Sequence, residues 1–153
     1  MKVVDFLRPE LVIAQLSGTA KSEVLGEMSG HLAKQQAGVD PEALRKVLEE
    51  RELLASTAIG DGIAIPHGKL DTVEQLVGTL GRSQAGLEFD SIDGKPTHLV
   101  FMLVAPSSST GIHLKALARL SRLFRDADFR RRLIEAPDAP AMYKVIADED
   151  AKY

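Results

Sequence analysis

Hydrophobic positions in the first third of the chain recur every three or four residues, a spacing that predicts two helices. The buried face of the first helix comprises Val24, Leu25, Met28 and Leu32. The second helix begins at Asp40-Pro41, because an aspartate caps the free N–H groups of a helix and a proline fits its first turn. We expect this helix to reach Leu54. Its buried face comprises Leu44, Val47 and Leu48.

The middle of the chain carries strand patterns. The apolar run 99–105 is uninterrupted, which is typical of a strand buried on both faces. It follows a turn signal at Asp93-Gly94, so we expect an antiparallel pair with a short strand around Phe89. Further strands are predicted at 11–16 and 73–82, and the glycine-rich stretch 59–69 is predicted as loop with a short strand through its isoleucines.

The last third predicts helices again. The cluster SSSTG, residues 107–111, ends the long strand and offers Thr110 as the N-cap of a helix. The apolar face of that helix comprises Leu114, Leu117, Leu120 and Phe124. Two shorter helices are predicted at 128–134 and 138–146. This alternation predicts one α/β domain over residues 1–153, with a mixed central sheet of about five strands flanked by helices on both faces.

Composition and charge exclude several classes of function. The 153 residues carry 19 Lys plus Arg and 22 Asp plus Glu, and the net charge of -3 gives no reason to expect nucleic acid or an anionic membrane as a partner. The absence of cysteine excludes disulfides and thiolate metal sites. No apolar run approaches the ~20 residues that span a bilayer, and no signal peptide is recognisable. We therefore expect a cytoplasmic protein without direct membrane insertion.

One histidine with a restricted backbone is the main candidate for chemistry. In GIAIPHGK, residues 62–69, His67 follows Pro66, which fixes its own φ, and precedes Gly68, which permits positive φ and a close main-chain approach. Such a ring suits chemistry in which one nitrogen is held by a hydrogen bond and the other faces outward as a nucleophile. The spacing fits no P-loop, GxGxxG, G-x-S-x-G or H-E-x-x-H motif. A turn histidine that caps nearby carbonyls is the alternative.

Arg51 shares the buried stripe of the second helix, where a guanidinium needs an anion. Together with the hydroxyls of Ser56 and Thr57 it would form a phosphate cradle, because the guanidinium fork matches phosphate oxygens. The alternatives are a salt bridge to Glu49 or Glu52, or a side chain that extends its charge into solvent.

His113 is a second candidate. With Thr110 as the N-cap, it lies in the first turn of its helix and points partly inward, at a helix end that favours anions. There it could hydrogen-bond a phosphoryl group or tune the pKa of the first ring. A half-buried histidine bonded to a carbonyl is equally compatible with the pattern. We expect His31 and His98 to be structural or solvent-facing.

The run RELLASTAIGDGIAIPHGKL, residues 51–70, resembles the active-site signature of type 2 enzyme IIA domains of the phosphoenolpyruvate-dependent phosphotransferase system, the fructose, mannitol and nitrogen-regulatory family. LRPELVIAQL, FDSIDGKPTHLVFMLVAP and GIHLKALARLSRLF are also similar to that family, so the resemblance covers nearly the whole chain. It implies a phosphotransferase component in which a histidine phosphocarrier protein loads His67, Arg51 and His113 assist, and neither a metal nor an organic cofactor takes part.

Within the family, the pattern RE-x-x-x-STxIGxGIAIPHGKL looks most like the nitrogen-regulatory branch. That resemblance implies a phosphorylation-dependent regulator that binds a transporter or a kinase. The alternative is a sugar-specific enzyme IIA of the fructose or mannitol type, which passes its phosphate to an enzyme IIB for sugar uptake. A scaffold that keeps the fold without the phosphate is a third, weaker alternative. The oligomeric state is left open by the resemblance.

Overall fold

The computed structural model describes residues 1–109 and 111–153. Among these residues the strands are β1 (Val12–Ile13), β2 (Ala58–Gly60), β3 (Ile63–Ala64), β4 (His67–Leu70), β5 (Val77–Leu87) and β6 (Thr97–Pro106). The helices are α1 (Lys21–Gln35), α2 (Pro41–Leu54), α3 (Ile112–Phe124), α4 (Ala127–Glu135) and α5 (Ala139–Asp150), preceded by two 3-10 turns at Val3–Asp5 and Pro9–Leu11. None of these helices is long and apolar enough to cross a membrane.

The strands form one mixed sheet. Its main order is β1-β5-β6-β3-β2, and β4 pairs with β6 beyond β3. β5 and β6 are antiparallel, whereas β3 and β4 both run parallel to β6. The prediction of a mixed sheet with about five strands is therefore confirmed, and β4 is the addition that the apolar pattern did not show. β6 is the centre of the sheet, and each residue of 99–105 is at most 1% exposed.

Helices cover both faces of the sheet, as predicted. On one face α2 packs against β4, where Val47 lies close above Gly68. On the other face α3 covers β6, and the ring centroids of Phe101 and Phe124 are 6.5 Å apart. Side chains alternate between the two faces along a strand. His67 is in register with Leu103, two residues from Phe101, so the histidine lies on the α3 face while Gly68 faces α2.

Helix α2 matches its prediction at both ends, and the Asp40 carboxylate accepts a hydrogen bond from the Glu42 N–H. The predicted apolar face of α3 is wrong at Leu114, which is 59% exposed; Ala116 and Leu123 are buried instead. The error arises because a leucine one position away from the true stripe still matches the sequence spacing. The predicted N-cap, Thr110, lies outside the described residues.

Two strand predictions differ from the structure. The opening strand shortens to Val12–Ile13, because Leu11 belongs to a 3-10 turn that begins at a proline. The partner of β6 is the long strand β5, not a short strand around Phe89. Phe89 is buried after the end of β5, where the backbone of Glu88 pairs with the segment before α1 instead of with β6.

Candidate active site

His67 begins β4 and has a fixed ring. Its Nδ1 lies 2.9 Å from the carbonyl oxygen of Ile65. Since a carbonyl oxygen only accepts, Nδ1 carries the proton, and Nε2 of the neutral ring keeps a free lone pair. The backbone is anchored too, because the carbonyl of Pro66 accepts a hydrogen bond from the Leu103 N–H. The geometry that the Pro-His-Gly sequence suggested, one nitrogen held and the other available, is present at this ring.

Gly68 is required for a reason other than the predicted one. It is absent from the glycines with positive φ, so the expected left-handed backbone does not occur. A Cβ at this position would instead lie 2.7 Å from Cγ1 of Val47. Glycine therefore lets α2 approach β4 closely, directly beside His67.

Replacing Gly68 by alanine should destabilise the fold by about 1–3 kcal/mol, because the added methyl overlaps a β-branched side chain with little rotamer freedom. Thermal or denaturant unfolding measures the effect. Gly30→Ala is a matched control: it lies within α1, nothing lies within 4 Å of its Cβ position, and the change should stabilise by about 0.5–1 kcal/mol. Equal stability of the two variants would contradict the close packing at Gly68.

A cavity of about 290 Å³ lies next to His67. Its lining comprises Arg51, His67, Gly68, Lys69, Leu103, Ala105 and His113. Two cationic side chains and two imidazoles line it, and no carboxylate does, which suits an anionic group. A larger groove of about 540 Å³ lies between Phe6, Leu76 and Ile112, but it carries acidic side chains and neither Arg51 nor His67.

Arg51 is half-buried at the C-terminal end of α2. Its Nη1 donates to the carbonyl oxygen of Ala55, 3.0 Å away, and it forms no ion pair with any described residue. The carboxylates that sequence alone could have paired with it are engaged elsewhere: Glu49 with Arg45, and Glu52 with a lysine of α1. The remaining guanidinium N–H groups are thus left for another anion.

Ser56 and Thr57 do not line the cavity, which corrects their expected place in a phosphate cradle. The Ser56 hydroxyl donates to the carbonyl oxygen of Phe89 at 2.8 Å. The Thr57 hydroxyl donates to the carboxylate of Glu52. Both hydroxyls are consumed by bonds that hold the segment before β2, so their contribution to the site is support and not contact.

Lys69 also lines the cavity, although the sequence did not lead us to predict it as a site residue. It stands two residues after His67 on β4, and side chains two apart on a strand share a face. The signal was present in the sequence, but the glycine-rich context indicated loop and concealed the alternation. Among the described residues Lys69 forms no ion pair and no side-chain hydrogen bond, so its ammonium is available to a bound anion.

His113, in the first turn of α3, faces the same cavity. Its Nδ1 is buried and has no hydrogen-bond partner among the described residues. Burial lowers the pKa of His113, the positive charge of Lys69 lowers it further, and the His67 ring adds to this lowering when it is protonated. The ring is therefore neutral at neutral pH and can act as a hydrogen-bond donor or acceptor without adding charge. His31 and His98 bond to backbone carbonyls away from the cavity.

Replacing Lys69 by glutamine should raise the pKa of His113 without bringing it back to its ordinary value, because a like charge is removed while burial, the larger cause, stays. The titration of the ring followed by NMR measures the shift. Lys95→Gln, in the connection between β5 and β6, is the control and should leave the His113 titration in place. A fall in the His113 pKa upon loss of Lys69 would contradict the arrangement.

Comparison with known proteins gives concordant results. The family model described as "Phosphoenolpyruvate-dependent sugar phosphotransferase system, EIIA 2" matches residues 5–149. The nitrogen regulatory protein of Bradyrhizobium diazoefficiens is 41% identical over 147 residues, which cover 96% of this chain and 95% of the relative. The fructose-specific EIIABC component of Bacillus subtilis is 36% identical over 150 residues, which cover 98% of this chain but 24% of that protein.

Comparison with solved structures points to the same family as the sequence comparisons. The crystal structure of the nitrogen regulatory protein IIA-Ntr from Neisseria meningitidis matches with a TM-score of 0.86 and 29% sequence identity. The match covers 93% of this chain and 97% of that one. The sheet and the helices that surround the cavity therefore follow a known architecture over nearly their full length.

Proposed function

Because the chain belongs to the type 2 enzyme IIA family of the phosphoenolpyruvate-dependent phosphotransferase system, a family of phosphotransferase components, we propose that His67 accepts a phosphoryl group from the phosphohistidine of a small phosphocarrier protein. The observation that carries the proposal is the bond from Nδ1 of His67 to the Ile65 carbonyl, which leaves Nε2 as the nucleophile beside a cavity lined by cations. The protonation of the His67 ring, the cationic lining of the cavity and the family membership all support phosphoryl transfer to His67.

In the transfer, the lone pair of Nε2 attacks the phosphorus atom of the donor. The P–N bond of the donor breaks, and its electron pair returns to the donor ring, while the proton of His67 stays on Nδ1, hydrogen-bonded to the Ile65 carbonyl. Arg51 and Lys69 counter the charge of the three phosphoryl oxygens, and neutral His113 donates one N–H. Positioning and electrostatic stabilisation supply most of the catalysis in such transfers.

The main output of this chain is regulation of the nitrogen type. The similarity to a nitrogen regulatory protein over 96% of the chain supports this branch. A phosphoryl group adds about -1.5 to -2 charges at neutral pH, and such a charge alters docking by repulsion or by pairing with arginine. Leu54 lies three residues after Arg51, and Leu114 directly follows His113. Both are exposed apolar side chains that a transporter or kinase would contact, so its binding would respond to the added charge.

The alternative is a sugar-type enzyme IIA that hands its phosphate to an enzyme IIB. The similarity to a fructose-specific EIIABC component favours it. The two roles separate when the phosphorylated chain is mixed with a fructose-type enzyme IIB. Rapid movement of the phosphate to enzyme IIB supports the sugar role, whereas retention on the chain supports the regulator.

Phosphorylation with phosphoenolpyruvate, enzyme I and a histidine phosphocarrier protein tests the proposal. Intact-mass measurement should show a gain of one phosphoryl group per chain, lost again in acid because a P–N bond is acid-labile. No gain with phosphocarriers of both the sugar and the nitrogen branch would contradict the proposed function.

A further inference from the structure

A buried hydrogen-bonded cluster joins α2 to the segment that leads into the candidate site. The Glu52 side chain is 4% exposed, and its Oε1 accepts from the Thr57 N–H at 3.0 Å and lies 3.1 Å from Nζ of Lys21. Its Oε2 accepts from the Thr57 hydroxyl. Lys21, in α1, also lies 3.3 Å from Asp90. The buried carboxylate is thus paired and fully hydrogen-bonded, the condition under which a buried charge holds a fixed geometry.

This cluster closes the turn 53–56, which comprises the last two residues of α2 and the start of the segment that enters β2. Glu52 is the last buried residue of α2, and its two bonds to Thr57 bring the chain back across that turn. Within the turn, the carbonyl oxygen of Ala55 accepts the hydrogen bond from Nη1 of Arg51. The direction of the Arg51 side chain therefore depends on a turn that Glu52 and Thr57 hold closed.

The cluster also keeps the neighbouring carboxylate away from Arg51. Glu52 is adjacent to Arg51 in sequence and is one of the two carboxylates that the sequence alone could have paired with its guanidinium. Lys21 and Thr57 together take both of its oxygens. The same contacts that shape the turn thereby leave the guanidinium without a carboxylate partner in the described part of the chain.

We propose that Thr57 and Glu52 are positioning residues that act through Arg51: they fix the Ala55 carbonyl and so hold the guanidinium at the cavity beside His67. This inference rests on the proposed function, because Arg51 has a phosphoryl group to contact only when His67 is loaded. It gives Thr57 a place in the reaction although its hydroxyl is buried against Glu52 and does not line the cavity.

The test removes one hydrogen bond of the cluster and keeps its shape. Thr57→Val deletes the hydroxyl, and Thr57→Ser retains it. Thr79→Val is the matched control, because the buried Thr79 hydroxyl donates to the Leu11 carbonyl at 2.6 Å, away from the cavity. Transfer from the phosphocarrier should slow on the order of tenfold in Thr57→Val, since small misplacement of a catalytic group is costly. Thr57→Ser should restore the rate, and Thr79→Val should keep it.

A double-mutant cycle separates positioning from general weakening of the fold. In an Arg51→Gln background, Thr57→Val should slow transfer no further, because the group through which Thr57 acts is already gone. A full additional loss in that background, or an equal loss in Thr79→Val, would overturn the inference. Failure of the wild-type chain to accept phosphate would instead refute the proposed function, whereas a phosphorylated wild type with an equally fast Thr57→Val variant refutes the positioning role alone.

Discussion

Replacing His67 by glutamine is expected to abolish the uptake of phosphate from the phosphocarrier. An amide nitrogen has no lone pair available for attack on phosphorus, because that pair is delocalised into the carbonyl group. Glutamine is polar and of similar length, so the half-buried position on β4 stays compatible with the fold. Intact mass after incubation with phosphoenolpyruvate, enzyme I and the phosphocarrier should show no added phosphoryl group.

His31→Gln is the control for this substitution. The Nε2 of His31 lies 2.7 Å from the Glu10 carbonyl oxygen, and the ring does not line the cavity. That variant should take up one phosphoryl group per chain, as the wild type does. Uptake that survives in His67→Gln and disappears in His31→Gln would place the phosphoryl group on His31 and contradict its assignment to His67.

Replacing Arg51 by glutamine should slow the transfer by about 10²–10³-fold, the usual cost of removing one preorganised donor from a site where charge develops. Among the described residues the guanidinium pairs with no carboxylate, so its loss leaves none unpaired and the fold should survive. Rapid-quench or gel-shift kinetics with the phosphorylated phosphocarrier measure the rate. The end point, one phosphoryl group per chain, should still be reached because His67 is intact.

Arg45→Gln is the matched control on the same helix. Arg45 pairs with Glu49 at 3.0 Å on a partly exposed surface, and pairs of that kind contribute little. Its transfer rate should stay near that of the wild type. Equal rates for Arg51→Gln and Arg45→Gln would show that the guanidinium beside the cavity takes no part in the reaction.

Much of the fold followed from the apolar pattern. The face of α1, the caps of α2 and the buried run of β6 all depend on local spacing or on capping chemistry that a sequence displays directly. The short strand β3 was expected through the isoleucines of 59–69, but β4 did not follow, because four residues are too few to show a period. They exist through pairing with β6, which is a tertiary contact.

The candidate site was predictable only where residue type and local sequence context indicate it. His67, Arg51 and His113 stood out by residue type and context, and the structure brings all three to one cavity. Lys69 was missed because its strand was not recognised. The support role of Thr57 depends on a bond to a buried carboxylate of the preceding helix, and no spacing rule specifies that bond.

The measurement that tests the central claim most directly is NMR of the phosphorylated chain with ¹⁵N-labelled histidine rings. Coupling between phosphorus and a ring nitrogen identifies both the residue and the atom that carries the phosphate. The structure predicts coupling to Nε2 of His67, with Nδ1 still protonated and bonded to the Ile65 carbonyl. Coupling to Nδ1 of His67, or to a nitrogen of any other histidine, would contradict the assignment of Nε2 as the nucleophile.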